Sequence, residues 1–255
     1  MNSNSKKISI ITINLNNCEG LHSTILSVKN QNYTDYEFIL IDGNSNDGSK
    51  QIIEKYQELF YYFIIEEDKG IYNAMNKGIS KSTGDYLLFL NSGDTLINEF
   101  SLHNAINYKV NSDLVFYSYL NQNDKIKERL KFSDFWFKFS FSHQAIFFKR
   151  DLFIELGLYR ENLDIVADWE FVLRALVMNK TYVIINFEIV SIDFTGVSSS
   201  IDGSKKSFLE RSKILENQYD ILYQDYKDLN YYRNSRVFRL INSILNKFGK
   251  GVYKY

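Results

Sequence analysis

GDYLLFLNSGD, residues 84–94, joins an unbroken apolar and aromatic run, 86–90, to a polar break at Asn91, Ser92, Gly93 and Asp94. A run without alternation is the pattern of a strand covered on both faces, where neither set of alternate side chains meets water. The break places the Asp94 carboxylate just past the strand's carboxyl end. In open α/β sheets ligands bind in the crevice beyond those ends, so Asp94 is placed to hold a metal or a phosphate-bearing substrate. Asn, Ser, Gly and Asp also dominate plain turns, and this segment alone fits either reading.

The flanking sequence extends the pattern. Residues 8–14 form an apolar, β-branched run, and 19–30 carry Leu21, Ile25, Leu26 and Val28 at helical spacing. Residues 36–41 form a second buried-strand pattern ending at Asp42. Asp47-Gly48-Ser49 then opens a helix with Ile52, Ile53, Tyr56 and Leu59. A third strand is expected over 61–65 and a short helix over 70–80, before the strand at 86–90. This alternation argues for βαβ units and a parallel sheet. From 113 to 148 the pattern changes to aromatic-rich strand fragments with polar interruptions, as in an α+β second half. Residues 150–156 and 167–178 read as helices, 182–189 as a strand and 205–224 as a long amphipathic helix.

Composition bounds the function. A chain of 255 residues with 45% hydrophobic content has ample core for one large domain, alone or with a subdomain, and reads as soluble and globular. A net charge of −1, with no Lys/Arg-rich run in the first two hundred residues, gives no field for nucleic acid. Cys18 is the one cysteine, which excludes an intrachain disulfide framework and a cysteine zinc site. The polar start MNSNSKK leads into a strand of about seven residues, too short for a signal h-region or a membrane span. A cytoplasmic protein is the expectation.

The first βα turn, Asn14-Leu15-Asn16-Asn17-Cys18-Glu19-Gly20, lacks the glycines a dinucleotide fold needs for close approach of pyrophosphate. No GxGxxG and no Walker A sequence occurs. What remains is a sheet whose strand ends carry Asp42, Asp68 and Asp94, which suggests one shared crevice. Carboxylates without a His/Cys cluster suit Mg2+ or Mn2+, bound through one or two protein carboxylates plus substrate phosphates. Asp168, in Val166-Ala167-Asp168-Trp169-Glu170, opens a helix. It either complements the helix dipole there or, beside the aromatic wall of Trp169, has a raised pKa and serves as a base.

Together these segments resemble the family 2 glycosyltransferases with the GT-A fold, particularly a bacterial polysaccharide-biosynthesis branch. The resemblance spans about 6–200 and rests on ISIITINLNN, FILIDGNSNDGS, EEDKGIYNAMNKGI, YLLFLNSGD and VADWEFVLRA, in that order. It implies a Rossmann-like, mixed, mainly parallel sheet with flanking helices and a C-terminal helical extension. The implied division is a catalytic domain over 1–204, with a nucleotide-sugar half (1–112) and an acceptor half (113–204), and an extension over 205–255. The implied reaction is inverting transfer of a sugar from a nucleotide diphosphate donor, uridine-linked, to a saccharide or lipid-linked saccharide. By the same resemblance Asp42 lies near the nucleobase and ribose, and Asp68, Asn76 and Asn91 help define the donor pocket. Asp94 ligates the metal, Asp168 deprotonates the acceptor hydroxyl, and His143 and Trp169 lie on the acceptor side. The chain departs from the family at Asn91 and Gly93, where relatives extend the acidic motif, and at Ala167, where they often have an acid. A nucleotidyltransferase, or a noncatalytic sugar-nucleotide or glycan-binding protein, is the alternative on the same fold.

Two segments have open readings. Residues 195–200, TGVSSS, are a loop that closes on bound donor or a plain connection. Residues 231–255 carry Arg233, Arg236, Arg239, Lys247, Lys250 and Lys254 and no acid, with Val237, Leu240, Ile241, Ile244, Leu245 and Phe248 as an apolar stripe. Such a basic helix lies peripherally on the inner face of a membrane, or packs on protein or on a second copy of the chain in a homo-oligomer.

Overall fold

A computed structural model of the chain describes residues 6–107, 111–120, 142–195, 201–237 and 243. The chain divides into two compact units, 1–207 and 208–255. In the first, β1 (Ile8–Asn14), α1 (Cys18–Lys29), β2 (Tyr36–Asp42), α2 (Ser49–Lys55), β3 (Tyr62–Ile65), α3 (Ile71–Lys81) and β4 (Tyr86–Phe89) follow one another as the alternation demands. Short β5 (Thr95–Leu96) and α4 (Ser101–Asn107) precede β6 (Leu114–Tyr119). A single 3-10 turn (His143–Ala145) opens β7 (Ile146–Lys149), followed by α5 (Asp151–Glu155), α6 (Ala167–Val177) and β8 (Tyr182–Ser191).

All eight strands form one sheet in the order β3-β2-β1-β4-β7-β6-β8-β5. β1 to β4 are parallel, and β7 runs antiparallel to both β4 and β6. The sheet is therefore continuous across residue 112, and the expected nucleotide and acceptor halves share one layer, with β5 of the first at the far edge beside β8. Because β7 is antiparallel, its first residue lies beside the carboxyl end of β4, which delivers His143 to the crevice. The mixed, mainly parallel sheet with helices against it matches the expected architecture.

The strand that leads to the polar break is apolar throughout, with Leu87, Leu88, Phe89 and Leu90 all fully buried. α3 packs close on β1 because Gly78 leaves room: a Cβ there would come within 2.4 Å of Ile11. Below the crevice, Phe89, Phe148, Phe153, Tyr159 and Phe171 form an aromatic cluster, with Phe153 and Phe171 stacked at 4.2 Å and 13°. Those rings fix α6, and with it Asp168, against β4 and β7.

In the second unit the described residues belong mostly to α7 (Ile201–Asn234), which begins in the first unit and departs from helical geometry at Tyr219. The stripe of the basic tail, apart from Val237, and residues 196–200 of the expected donor loop lie outside the described residues.

Candidate active site

The polar break after β4 is both a turn and an acid carrier. Asp94 N–H bonds to Asn91 O at 2.9 Å, and Gly93 takes φ +103, a conformation that favours glycine. Thr24 from α1 clamps the turn, accepting from Gly93 N–H at 3.0 Å and donating to Asp94 O at 2.7 Å. The Asp94 side chain is almost fully buried, at 2% exposure. Burial pushes its pKa up to about 6, against the opposing pull of the Asp193 N–H, His143 and Gln144. Asp193, just past β8, is a carboxylate the sequence reading missed. Its Oδ2 would lie 2.5 Å from a Cβ on Gly93, so glycine there lets the two acids share one corner.

His143 connects this turn to the start of α6. Its Nε2 is 3.2 Å from Asn91 Nδ2, and its Nδ1 is 2.8 Å from Asp168 Oδ2. A neutral imidazole protonated on Nδ1 satisfies both contacts, donating to Asp168 and accepting from Asn91. Asn91 Oδ1 is buried with no partner within the chain. Asp168 is 15% exposed at the side chain and His143 16%. Burial alone would raise the Asp168 pKa, but the hydrogen bonds from His143, the Trp169 backbone N–H and the Tyr72 hydroxyl together hold it below the ordinary carboxylate range. The raised pKa expected from the aromatic wall is thus replaced by a lowered one.

Trp169 is fully buried, and its ring has no surface to offer an acceptor. Successive helical residues point about 100° apart, so turning Asp168 to the crevice drives Trp169 into the core. It serves Asp168 through its backbone N–H instead. Asn76, expected at the donor pocket, is held by the segment that precedes α6. Both amide hydrogens bond the segment after α5, at Tyr159 O (2.9 Å) and Glu161 Oε1 (3.0 Å), and its oxygen accepts from Tyr159 N–H.

On the other side of β1, Asp42 is fully buried and organises the loop behind it. Oδ1 accepts from Ser45 N–H, and Oδ2 accepts from Asn14 Nδ2 at 2.7 Å and Ser45 Oγ at 2.8 Å. Asn14 Oδ1 is buried without a partner within the chain. Asp68 is partly exposed, accepts from Gly70 N–H, and sets its Oδ2 against Gly43, 2.7 Å from where a Cβ would be. The sheet therefore brings two groups to its crevice end: Asp42 with Asp68 beside Gly43, and Asp94 with Asn91, His143, Asp168 and Asp193.

Oxygen donors such as Asp94, Asp193 and the partnerless Asn91 Oδ1 suit Mg2+ or Mn2+. Among the described residues no group of three or more His, Cys, Asp or Glu forms a cage. The set fits an ion that completes its coordination with substrate phosphates.

Comparison with known proteins agrees with this geometry. Residues 9–160 match the family described as glycosyl transferase family 2. A PGL/p-HBAD biosynthesis glycosyltransferase of Mycobacterium bovis is 32% identical over 217 residues, covering 80% of this chain and 82% of that protein. In fold, the chain is similar to Staphylococcus aureus TarS 1-349 in complex with UDP-GlcNAc, at TM-score 0.66 and 17% identity, over 91% of this chain and 74% of that one. It is similar too to the mannosyltransferase PcManGT of Pyrobaculum calidifontis, solved with GDP-Man and Mn2+, at TM-score 0.64 and 15% identity, over 97% and 81% of the two chains. The strand-end acids, the helix that Asp168 helps open and the sheet order stand on a chain that belongs to glycosyltransferase family 2, with the GT-A fold.

Proposed function

We propose that this glycosyltransferase is inverting and metal-dependent, and that it moves a sugar from a UDP-linked donor to a hydroxyl of a saccharide or lipid-linked saccharide in cell-surface polysaccharide synthesis. The observation that carries the reading is the link Asn91–His143–Asp168, which sets an ionised carboxylate one side chain from the turn bearing Asp94. Asp168 takes the proton from the acceptor hydroxyl, and the freed oxygen pair forms a bond to the anomeric carbon from the face opposite the leaving group. The bond from that carbon to the diphosphate oxygen breaks, its electron pair leaving with the diphosphate, so the anomeric configuration inverts. One such base contributes about 10²- to 10⁴-fold. When bound, the divalent cation offsets charge building on the departing diphosphate. In this reading Asp94, Asp193 and Asn91 hold that cation.

Donor-side residues are Asp42, which acts through the loop it braces, and the partly exposed Asp68. The acceptor side is represented by His143, which is partly exposed beside the base. The UDP assignment draws support from the TarS complex, whose bound donor is UDP-GlcNAc, and metal use from the Mn2+ of PcManGT.

Thermal shift of the purified protein against a panel of nucleotide sugars, with and without Mn2+, tests this. A true donor stabilises the fold by RT ln(1 + [L]/Kd), so one UDP-sugar should raise Tm in an Mn2+-dependent way. Failure of every nucleotide sugar to do so would overturn the reading.

A further inference from the structure

α3 turns Tyr72, Asn73 and Asn76 toward the segment joining α5 to α6. Asn73 Nδ2 bonds Glu161 Oε2 at 3.0 Å, and Asn76 bonds Tyr159 O and Glu161 Oε1. Tyr72 reaches further along the same segment: its hydroxyl is 2.6 Å from Ile165 O and 2.9 Å from Asp168 Oδ1. The ring is 5% exposed and packs on Tyr159 at 5.6 Å, so the hydroxyl has little freedom to leave.

The proton inventory at that hydroxyl is unusual. A phenol carries one proton, and the Ile165 carbonyl can only accept. With Asp168 ionised, one proton serves two acceptors. Once Asp168 has taken a proton and carries it on Oδ1, that proton points to the Tyr72 oxygen while Tyr72 donates wholly to Ile165. Both states of the carboxyl group thus find a partner without movement of the ring. Burial and the adjacent Asp168 charge hold the phenol well above its ordinary pKa, so it stays protonated throughout.

We propose that Tyr72 is the positioning residue of the base, holding Asp168 Oδ1 in both its ionised and protonated states, and that Asn73 and Asn76 extend the same grip to the preceding segment. The proposal deepens the reading of Asp168 as the acceptor base and rests on it. It assigns to this face of α3 the holding of the base, where the family resemblance had implied donor contact at Asn76.

The test uses the full chain with Tyr72→Phe, Asn76→Ala and Asp168→Asn. Carboxyl 13C NMR, with the Asp168 signal identified by its loss in Asp168→Asn, follows the titration of Asp168 directly and needs no substrate. Tyr72→Phe removes a donor to the ionised form, so the Asp168 midpoint should move to higher pH. In turnover with the donor found by thermal shift, Tyr72→Phe should lower kcat about tenfold or more while donor KM changes less than about twofold. Asn76→Ala should likewise lower kcat and leave UDP affinity, measured by calorimetry with Mn2+, unchanged. An unmoved Asp168 midpoint in Tyr72→Phe would overturn the proposal, as would a loss of UDP affinity with preserved kcat in Asn76→Ala. Full turnover by Asp168→Asn would instead remove the base reading, an outcome the NMR titration keeps separate.

Discussion

The backbone N–H of Asp193 donates to Asp94 Oδ1 at 2.9 Å, tying the segment after β8 to the turn that ends β4. That bond fixes Asp94 Oδ1, and the Gln144 side chain also hydrogen-bonds the carboxylate. Asp94→Asn keeps an acceptor for the Asp193 N–H while removing the charge. Turnover is expected to fall by at least about 10²-fold, because several kcal/mol of stabilisation on the leaving diphosphate goes with the metal. A Mn2+ titration of parent and variant measures this, and EDTA should reduce the parent to the level of the variant. Parent-like activity of Asp94→Asn in chelator would refute the metal assignment.

Asp168→Asn tests catalysis against mere binding. The substitution removes a proton acceptor and little volume, so UDP affinity should be retained while kcat falls at least about 10²-fold. The pH dependence has a definite sign. Asp168 works ionised, and its pKa is held below the ordinary carboxylate range, so its acid limb in kcat/KM belongs below about pH 4. A limb found near neutrality that disappears in Asp168→Asn would contradict that environment.

The strands that build the crevice were legible because each is a mainly apolar, β-branched or aromatic run cut short by polar residues. β1 was read over its full length, and β2 and β4 to within a residue. The positions of Asp94 and Asp168 were legible for the same reason, since one follows a strand end and the other lies at a helix start. Tyr72 and Asp193 were not, because their roles depend on partners 96 and 99 residues away, Asp168 and Asp94. No local periodicity encodes such a pairing. The resemblance put Asn76 at the donor pocket and Trp169 on the acceptor side. Which way each points is set by helical rotation and by the segment packed against it. The antiparallel entry of β7 between β4 and β6, which brings His143 to the site, is likewise a matter of sheet order.

Stability should depend on Glu37, a buried acid at the opposite end of the sheet. Its carboxylate accepts from Ser9 Oγ at 2.6 Å, Thr83 Oγ1 at 2.6 Å and the Thr83 and Gly84 N–H groups, and pairs with Lys7 at 2.6 Å. Burial alone would raise its pKa, but these donors outweigh it and the net shift is downward. A depressed carboxylate pKa stabilises the fold fully above the unfolded value, about 4.3, and that contribution is lost as pH falls through the folded pKa below it. Glu37→Gln sets an amide N–H₂ against N–H and O–H donors, and should cost about 3 kcal/mol in urea unfolding at pH 7. The difference from the parent should shrink below pH 4. An unchanged urea midpoint at pH 7 would show that the network does not stabilise the strand end.

The basic tail is expected to bind an anionic membrane surface. Residues 231–255 hold six Lys and Arg and no acid, with apolar residues recurring at intervals of three and four. No described helix is long and apolar enough to cross a membrane. Each Lys or Arg near an anionic surface contributes about 1 kcal/mol, an attraction that salt screens within a Debye length of about 10 Å at 0.1 M. Full-length protein is therefore expected to co-sediment with vesicles containing phosphatidylserine at low salt and to be released at high salt. Removal of 231–255 should abolish that binding and leave turnover on a soluble acceptor intact. Equal binding by the two forms would rule the tail out as the anchor. Absence of binding by either, with a change in sedimentation coefficient on truncation, would assign the stripe to a contact between copies of the chain.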